Sequence, residues 1–244
     1  MTPLVLVHGF MGGSAQWTLQ SPLAEGRSLV CLDLPGFGRN ADKPVVDRIE
    51  DFAEWALKEL TGRGIDRFDL LGHSMGGMIV QEMVRHAPDR VKRLVLYATG
   101  SRGALPGRFE TIETSKKRAM EDGARATARR IAATWFSKRE DAEHYADCAA
   151  ISEMAGLDAI LSGLTAMQSW SGEANLSKIG NHTLVLWGDG DRTYDWSQIE
   201  RLWTSIPNST LGVIPSCAHA VHAERPDLFN AMVHQFLAPP SAPN

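Results

Sequence analysis

Short, continuously apolar runs recur along this chain with helical stretches between them. That alternation limits the fold more than any other feature of the sequence. Leu4–Val7, Ser28–Leu32, Phe68–Leu71, Leu94–Tyr97, Thr183–Trp187 and Leu211–Ile214 each read as a strand. Most lack the apolar–polar alternation of a sheet with one wet face, as do strands covered on both faces of a parallel sheet. Ile49–Leu60, Gly76–His86 and Trp196–Ser205 have helical spacing. After Pro226, the residues Leu228, Phe229, Met232, Val233 and Phe236 recur near a 3.6 period, which predicts a terminal amphipathic helix. The expected fold class is α/β, a mostly parallel sheet of about six strands with right-handed crossovers. At 244 residues the chain suffices for one large domain, or one domain with an insertion. A globule of this size needs no disulfide or metal staple. Cys31, Cys148 and Cys217 form no CxxC pair, so all three read as small buried apolar residues. The Pro-rich end, Ala238–Asn244, is expected to fray.

One stretch breaks the rhythm. From about Ser101 to Gln168 there is no strand candidate, whereas Gly107–Glu121, Ala124–Phe136, Asp141–Glu153 and Leu157–Gln168 all look helical. This predicts a core of residues 1–100 and 171–244 with a helical cap, or lid, inserted at 101–170. Residues 101–140 hold ten Lys or Arg against five Asp or Glu, while the whole chain carries −4. The plain reading of that excess is a solvated helix face. The functional one is a lid whose field attracts an anionic small-molecule substrate. The overall balance, with pI near 6.1, argues against nucleic acid as a partner. No apolar run reaches the ~18 residues of a membrane span. The N-terminal apolar stretch Leu4–Val7 is short and has no basic residue before it, so a cytoplasmic location is expected.

Gly72-His73-Ser74-Met75-Gly76 fits G-x-S-x-G. Alone the pattern is weak, but here it follows an apolar run and opens a helical one. A tight strand–turn–helix of this kind admits only small neighbours beside the serine and presents the hydroxyl at a helix N-terminus. A serine hydroxyl is a poor nucleophile without a base. Two later strand ends supply candidates in the order acid, then histidine. Gly188-Asp189-Gly190-Asp191 follows one strand, and Cys217-Ala218-His219 follows the last. Asp189 and Asp191 compete, and the G-x-x-D spacing favours Asp191. His219 and His222 also compete. His219 is favoured because it comes first after the strand, with Glu224 and Pro226 at fixed offsets before the terminal helix.

Taken with His8-Gly9-Phe10 and Asp33-Leu34-Pro35-Gly36-Phe37-Gly38, these motifs resemble the α/β-hydrolase superfamily over essentially the whole chain. The resemblance is to its small soluble esterases, enol-lactonases and ring-cleavage-product hydrolases. It implies a serine hydrolase in which Ser74 is the nucleophile, His219 the base and Asp191 its orienting acid. The backbone N–H groups of Phe10 and Met75 would stabilise the oxyanion. It implies no metal and no organic cofactor. Two departures stand out. No antiparallel strand pair precedes Leu4–Val7, which shortens the expected sheet. His73 and Ala220 stand where ring-cleavage hydrolases usually have Asn and Trp, which favours ester or lactone hydrolysis over carbon–carbon cleavage. A carbon–carbon hydrolase or lyase of the same fold, and a small-molecule receptor, remain as alternatives. His8 and His73 read as loop supports. Trp135, Met154, Met167 and Trp170 could line an apolar pocket or form the cap's own core. Arg102 is a candidate partner for a substrate carboxylate.

Overall fold

The computed structural model describes residues 2–105 and 110–238. Its sheet has six strands: β1 (Leu4–Val7), β2 (Leu29–Cys31), β3 (Phe68–His73), β4 (Val91–Tyr97), β5 (His182–Gly188) and β6 (Ser209–Ile214). They lie in the order β2-β1-β3-β4-β5-β6, and every neighbouring pair is parallel. Around the sheet run α1 (Ile49–Gly62), α2 (Met75–His86), α6 (Trp196–Ser205), the short α7 (Val221–Glu224) and α8 (Pro226–Leu237). Three more helices, α3 (Ile112–Thr134), α4 (Tyr145–Ser152) and α5 (Leu157–Ser169), lie between β4 and β5 in the chain.

The continuous apolar runs have a direct physical reason. Side chains alternate across a strand, and here both faces are covered. Val5 and Val7 of β1 pack in one core with Phe52 of α1 and Ile79 of α2. Leu4 and Leu6 pack on the other face with Phe229 and Val233 of α8. All four β1 residues are wholly buried. Burial of each such side chain stabilises by about 1.5–3 kcal/mol before the entropy of ordering it.

The helical block leaves and rejoins the sheet at one neck. Arg102 and Ser171 form an antiparallel bridge. Beside it, Gly103 N–H donates to the Trp170 carbonyl at 3.1 Å and Gly172 N–H to that of Ser101 at 2.9 Å. Inside the block, the two expected helices Gly107–Glu121 and Ala124–Phe136 are separated as expected, by non-helical Gly123 within the span α3. The expected start at Gly107 lies outside the described residues. The expected Asp141–Glu153 helix shortens to α4, preceded by a single 3-10 turn at Arg139–Asp141. Cys148 and Cys217 are buried, but Cys31, on the edge strand β2, is only partly so. Among the described residues no single helix is long and apolar enough to cross a membrane.

Candidate active site

The turn between β3 and α2 fixes Ser74 in a conformation that few residues adopt. Its φ is 56° and ψ −119°, at the N-terminal cap of α2. Left-handed φ at a non-glycine residue costs on the order of 1–3 kcal/mol and persists only where the surroundings enforce it. Here the Ser74 N–H donates to the Tyr97 carbonyl at 3.0 Å, and the Thr99 hydroxyl donates to the Ser74 carbonyl at 2.7 Å. The turn is also sterically closed. A Cβ on Gly72 would fall within 3.0 Å of the Gly76 main chain, and one on Gly76 within 3.0 Å of the Val7 and His8 carbonyls. The small residues of the motif are therefore required by backbone packing.

Asp191 follows β5. One of its oxygens, Oδ1, accepts the Thr193 N–H at 2.7 Å and the Tyr194 N–H at 3.3 Å. The other, Oδ2, accepts from His219 Nδ1 at 2.9 Å. Both residues are buried. The Nδ1 nitrogen faces a carboxylate and so bears the proton, which leaves Nε2 as the bare ring nitrogen. Tyr194 stacks on the His219 ring, with centroids 5.8 Å apart and planes 20° apart. Ser74 and His219 line one cavity of about 50 Å³, together with Phe10, Gln16, Leu105, Ile131, Thr134, Trp135, Met167 and Tyr194. The competing acid, Asp189, is exposed and accepts the Ser216 N–H at 2.7 Å instead. The competing His222 is buried and does not line the cavity, its Nδ1 3.0 Å from the Tyr97 hydroxyl.

Three further histidines sit close by and are held neutral. His8 Nδ1–H donates to the Gly9 carbonyl at 2.8 Å, and its Nε2 accepts the Leu34 N–H at 3.0 Å. Burial lowers its pKa to about 4. Burial lowers His222 to about 3, with the nearby His219 adding to the effect. His73 is pushed well below the usual histidine range, first by burial and then by His219 and His222. Its ring stacks on Tyr97 at 4.6 Å. His8 therefore supports its loop by hydrogen bonds.

Phe10 and Trp135 reach the cavity as expected, and Met75 contributes its backbone at the start of α2 while its side chain is buried. Neither the Phe10 N–H nor the Met75 N–H is used in a turn or loop hydrogen bond. Two expectations are corrected. Arg102 is exposed at the neck, paired with Glu173, and does not line the cavity. Trp170 is buried away from it, its Nε1–H donating to Glu82 Oε1 at 2.9 Å. Met167 lines the cavity, but Met154 is exposed. Among the described residues no Lys or Arg lines the cavity. Much of the block's positive charge is paired internally, Arg118 and Arg130 with Glu110 and Arg125 and Arg129 with Glu153. Ile131 and Thr134 escaped the sequence reading, although they stand four and one residues before Trp135 on one helix face. Nothing local marks Gln16.

A family model described as the alpha/beta hydrolase family matches residues 4–232. A protein of Agrobacterium fabrum named as a candidate carbamate hydrolase, RutD, is 28% identical, the match covering 97% of this chain and 93% of that one. A 2-hydroxy-6-oxononadienedioate/2-hydroxy-6-oxononatrienedioate hydrolase of Pseudomonas putida is 30% identical, over 96% of this chain and 87% of its own. In fold, the chain is similar to the enol-lactonase of Burkholderia xenovorans LB400, with a TM-score of 0.87, 22% identity, and 97% and 91% of the two chains covered.

Proposed function

Because the chain belongs to the alpha/beta hydrolase family of enzymes, we propose that it is a serine hydrolase. Its substrate would be a small carboxylic ester, an enol-lactone or a related carbonyl compound. The observation that carries this reading is the 2.9 Å bond from His219 Nδ1 to buried Asp191, in a cavity that Ser74 shares. Asp191 holds the imidazole and stabilises its charged form. His219 Nε2 takes the Ser74 proton as Oγ attacks the carbonyl carbon. The developing oxyanion accepts the Phe10 and Met75 N–H groups, each worth ~3–4 kcal/mol at the transition state. Protonated His219 passes its proton to the leaving group. Water then loses a proton to Nε2 as it attacks the acyl carbon, and His219 returns that proton to Ser74 Oγ as the acyl–oxygen bond breaks and the acid leaves.

Residues 101–170 act as the cap, since α3 and α5 supply the cavity wall facing Ser74. The uncharged lining found among the described residues suits a neutral acyl group better than an anionic one, and the small volume suits a short one. Carbon–carbon hydrolysis is the second reading, favoured by the Pseudomonas putida relative. His73 and Ala220 speak against it.

The test is turnover of p-nitrophenyl acyl esters, lactones and a vinylogous diketone, with Ser74→Ala as control. Esters or lactones are expected to be turned over faster than the diketone, with an initial burst. A fluorophosphonate is expected to label Ser74, and Ser74→Ala to lose several orders of magnitude in kcat. Unchanged turnover in that variant defeats the reading.

A further inference from the structure

The main chain around His219 is held from four directions. Ala218 N–H donates to Glu224 Oε2 at 2.6 Å. Ala220 N–H donates to the Trp135 carbonyl at 2.8 Å. The His219 carbonyl accepts from the Tyr97 hydroxyl at 2.9 Å and lies 3.3 Å from His73 Nε2. The second Glu224 oxygen, Oε1, accepts both the N–H of Ser137, at 2.8 Å, and its hydroxyl, at 2.5 Å. One carboxylate therefore spans two parts of the molecule that are 81 residues apart. One is the end of α3, next to the cavity-lining Trp135, and the other is the approach to His219.

We propose that Glu224 is a positioning residue that sets the His219 imidazole against Ser74 by locking the end of α3 to the His219 loop. The inference rests on the reading of His219 as the base. The bond to Asp191 fixes the rotation of the ring, and the Glu224 clamp fixes the backbone from which the ring projects. Charge-assisted hydrogen bonds of this length are roughly twice as strong as neutral ones. All three donors on Glu224 are N–H or O–H groups, so the site needs an acceptor at both oxygens. A glutamine of the same shape would turn one acceptor into a donor facing a donor. Displacement of a catalytic group by about 1 Å costs about a hundredfold in rate.

The test compares the full chain with Glu224→Gln and Ser137→Ala. Glu224→Gln is expected to lower kcat about ten- to a hundredfold. KM should stay within about threefold, because the residue holds the base and not the substrate. The acid limb of kcat/KM, which reports the free base, is expected to move. Ser137→Ala keeps the carboxylate on Ala218 and should lose less than about threefold. A second readout is independent of activity. The low-field proton on His219 Nδ1 is expected to exchange at least about tenfold faster in Glu224→Gln, and measurably faster in Ser137→Ala. Wild-type kcat, pH profile and proton exchange in Glu224→Gln would overturn the proposal. If that variant does not fold, unchanged exchange in Ser137→Ala overturns it. If the wild-type chain neither hydrolyses esters nor labels at Ser74 while the exchange effect persists, the hydrolase reading falls and the clamp stands.

Discussion

At the scale of single residues, two aspartates two positions apart meet different fates, and the difference is testable. Asp191 accepts from Thr193, Tyr194 and His219, whereas Asp189 is exposed and accepts the Ser216 N–H. Asp191→Asn keeps the shape but lets an amide face His219 Nδ1, which favours the wrong tautomer. It is expected to lower kcat by about a thousand- to ten-thousandfold. Asp189→Asn should leave kcat within a few-fold, and steady-state kinetics on one ester decide between them. That Ser74 and His219 would share one cavity, with Asp191 bonded to the histidine, was legible in the sequence because each lies just past an apolar run, in a motif whose small residues mark a sharp turn. Arg102 and Trp170 misled for the opposite reason. Their roles are set by Glu173 and Glu82, 71 and 88 residues away, and no local pattern announces those partners. The same holds for Glu224. The sequence showed its offset from His219, but only the fold brings Ser137 to it.

At the scale of elements, strands covered on both faces announced themselves, and their ends did not. β4 begins at Val91, three residues before the apolar run, because Lys92 and Arg93 belong to the strand despite their charge. The Arg93 guanidinium earns its place by donating to the Leu237 and Ala238 carbonyls, at 2.8 and 3.0 Å, which ties the end of α8 to the sheet. In the helical block the sequence separated two helices between residues 121 and 124, and the chain does break there, at Gly123. Gly123 has φ 80° and ψ 169°, a region essentially restricted to glycine. A Cβ there would meet nothing within 4 Å. The requirement is therefore one of backbone conformation alone. Gly123→Ala should destabilise the chain by about 1–3 kcal/mol, read as a lower midpoint in urea at unchanged slope. A larger loss would mean that the break holds contacts beyond its own dihedrals.

At the scale of the whole molecule, the site is built on a group of neutral imidazoles, and that gives its stability a direction with pH. The unfolded chain titrates each histidine near 6.5, whereas burial holds His8 at about 4, His222 at about 3 and His73 well below the usual value. His222 also has a buried Nε2 with no hydrogen-bond partner. About one pH unit above 6.5 both states are neutral at these positions, and the histidine contribution to stability is at its full value. As the pH falls below 6.5 the unfolded chain binds protons that the folded chain does not, so the free energy of unfolding falls. For His8 the loss is complete near pH 4 and amounts to on the order of 3 kcal/mol. The surface carboxylates act lower. Glu153, held down by its Arg129 hydrogen bond, starts from an ordinary value of 4.5 and contributes below it. From 6.5 down towards 4.5 the histidines lead the change, while Asp69, its carboxyl pushed up by burial, acts in the opposite sense at the lower end. Thermal midpoints should be flat just above neutral pH, before the thiols ionise in the unfolded chain, and fall steadily through that interval. His222→Phe fills a similar volume and removes one titrating ring, so its midpoint should fall less steeply whatever its absolute stability. A wild-type midpoint independent of pH down to about 5 would show that these imidazoles take up protons in the folded chain as readily as in the unfolded one. The reading of His8, His73 and His222 as neutral rings in the folded chain would then be wrong.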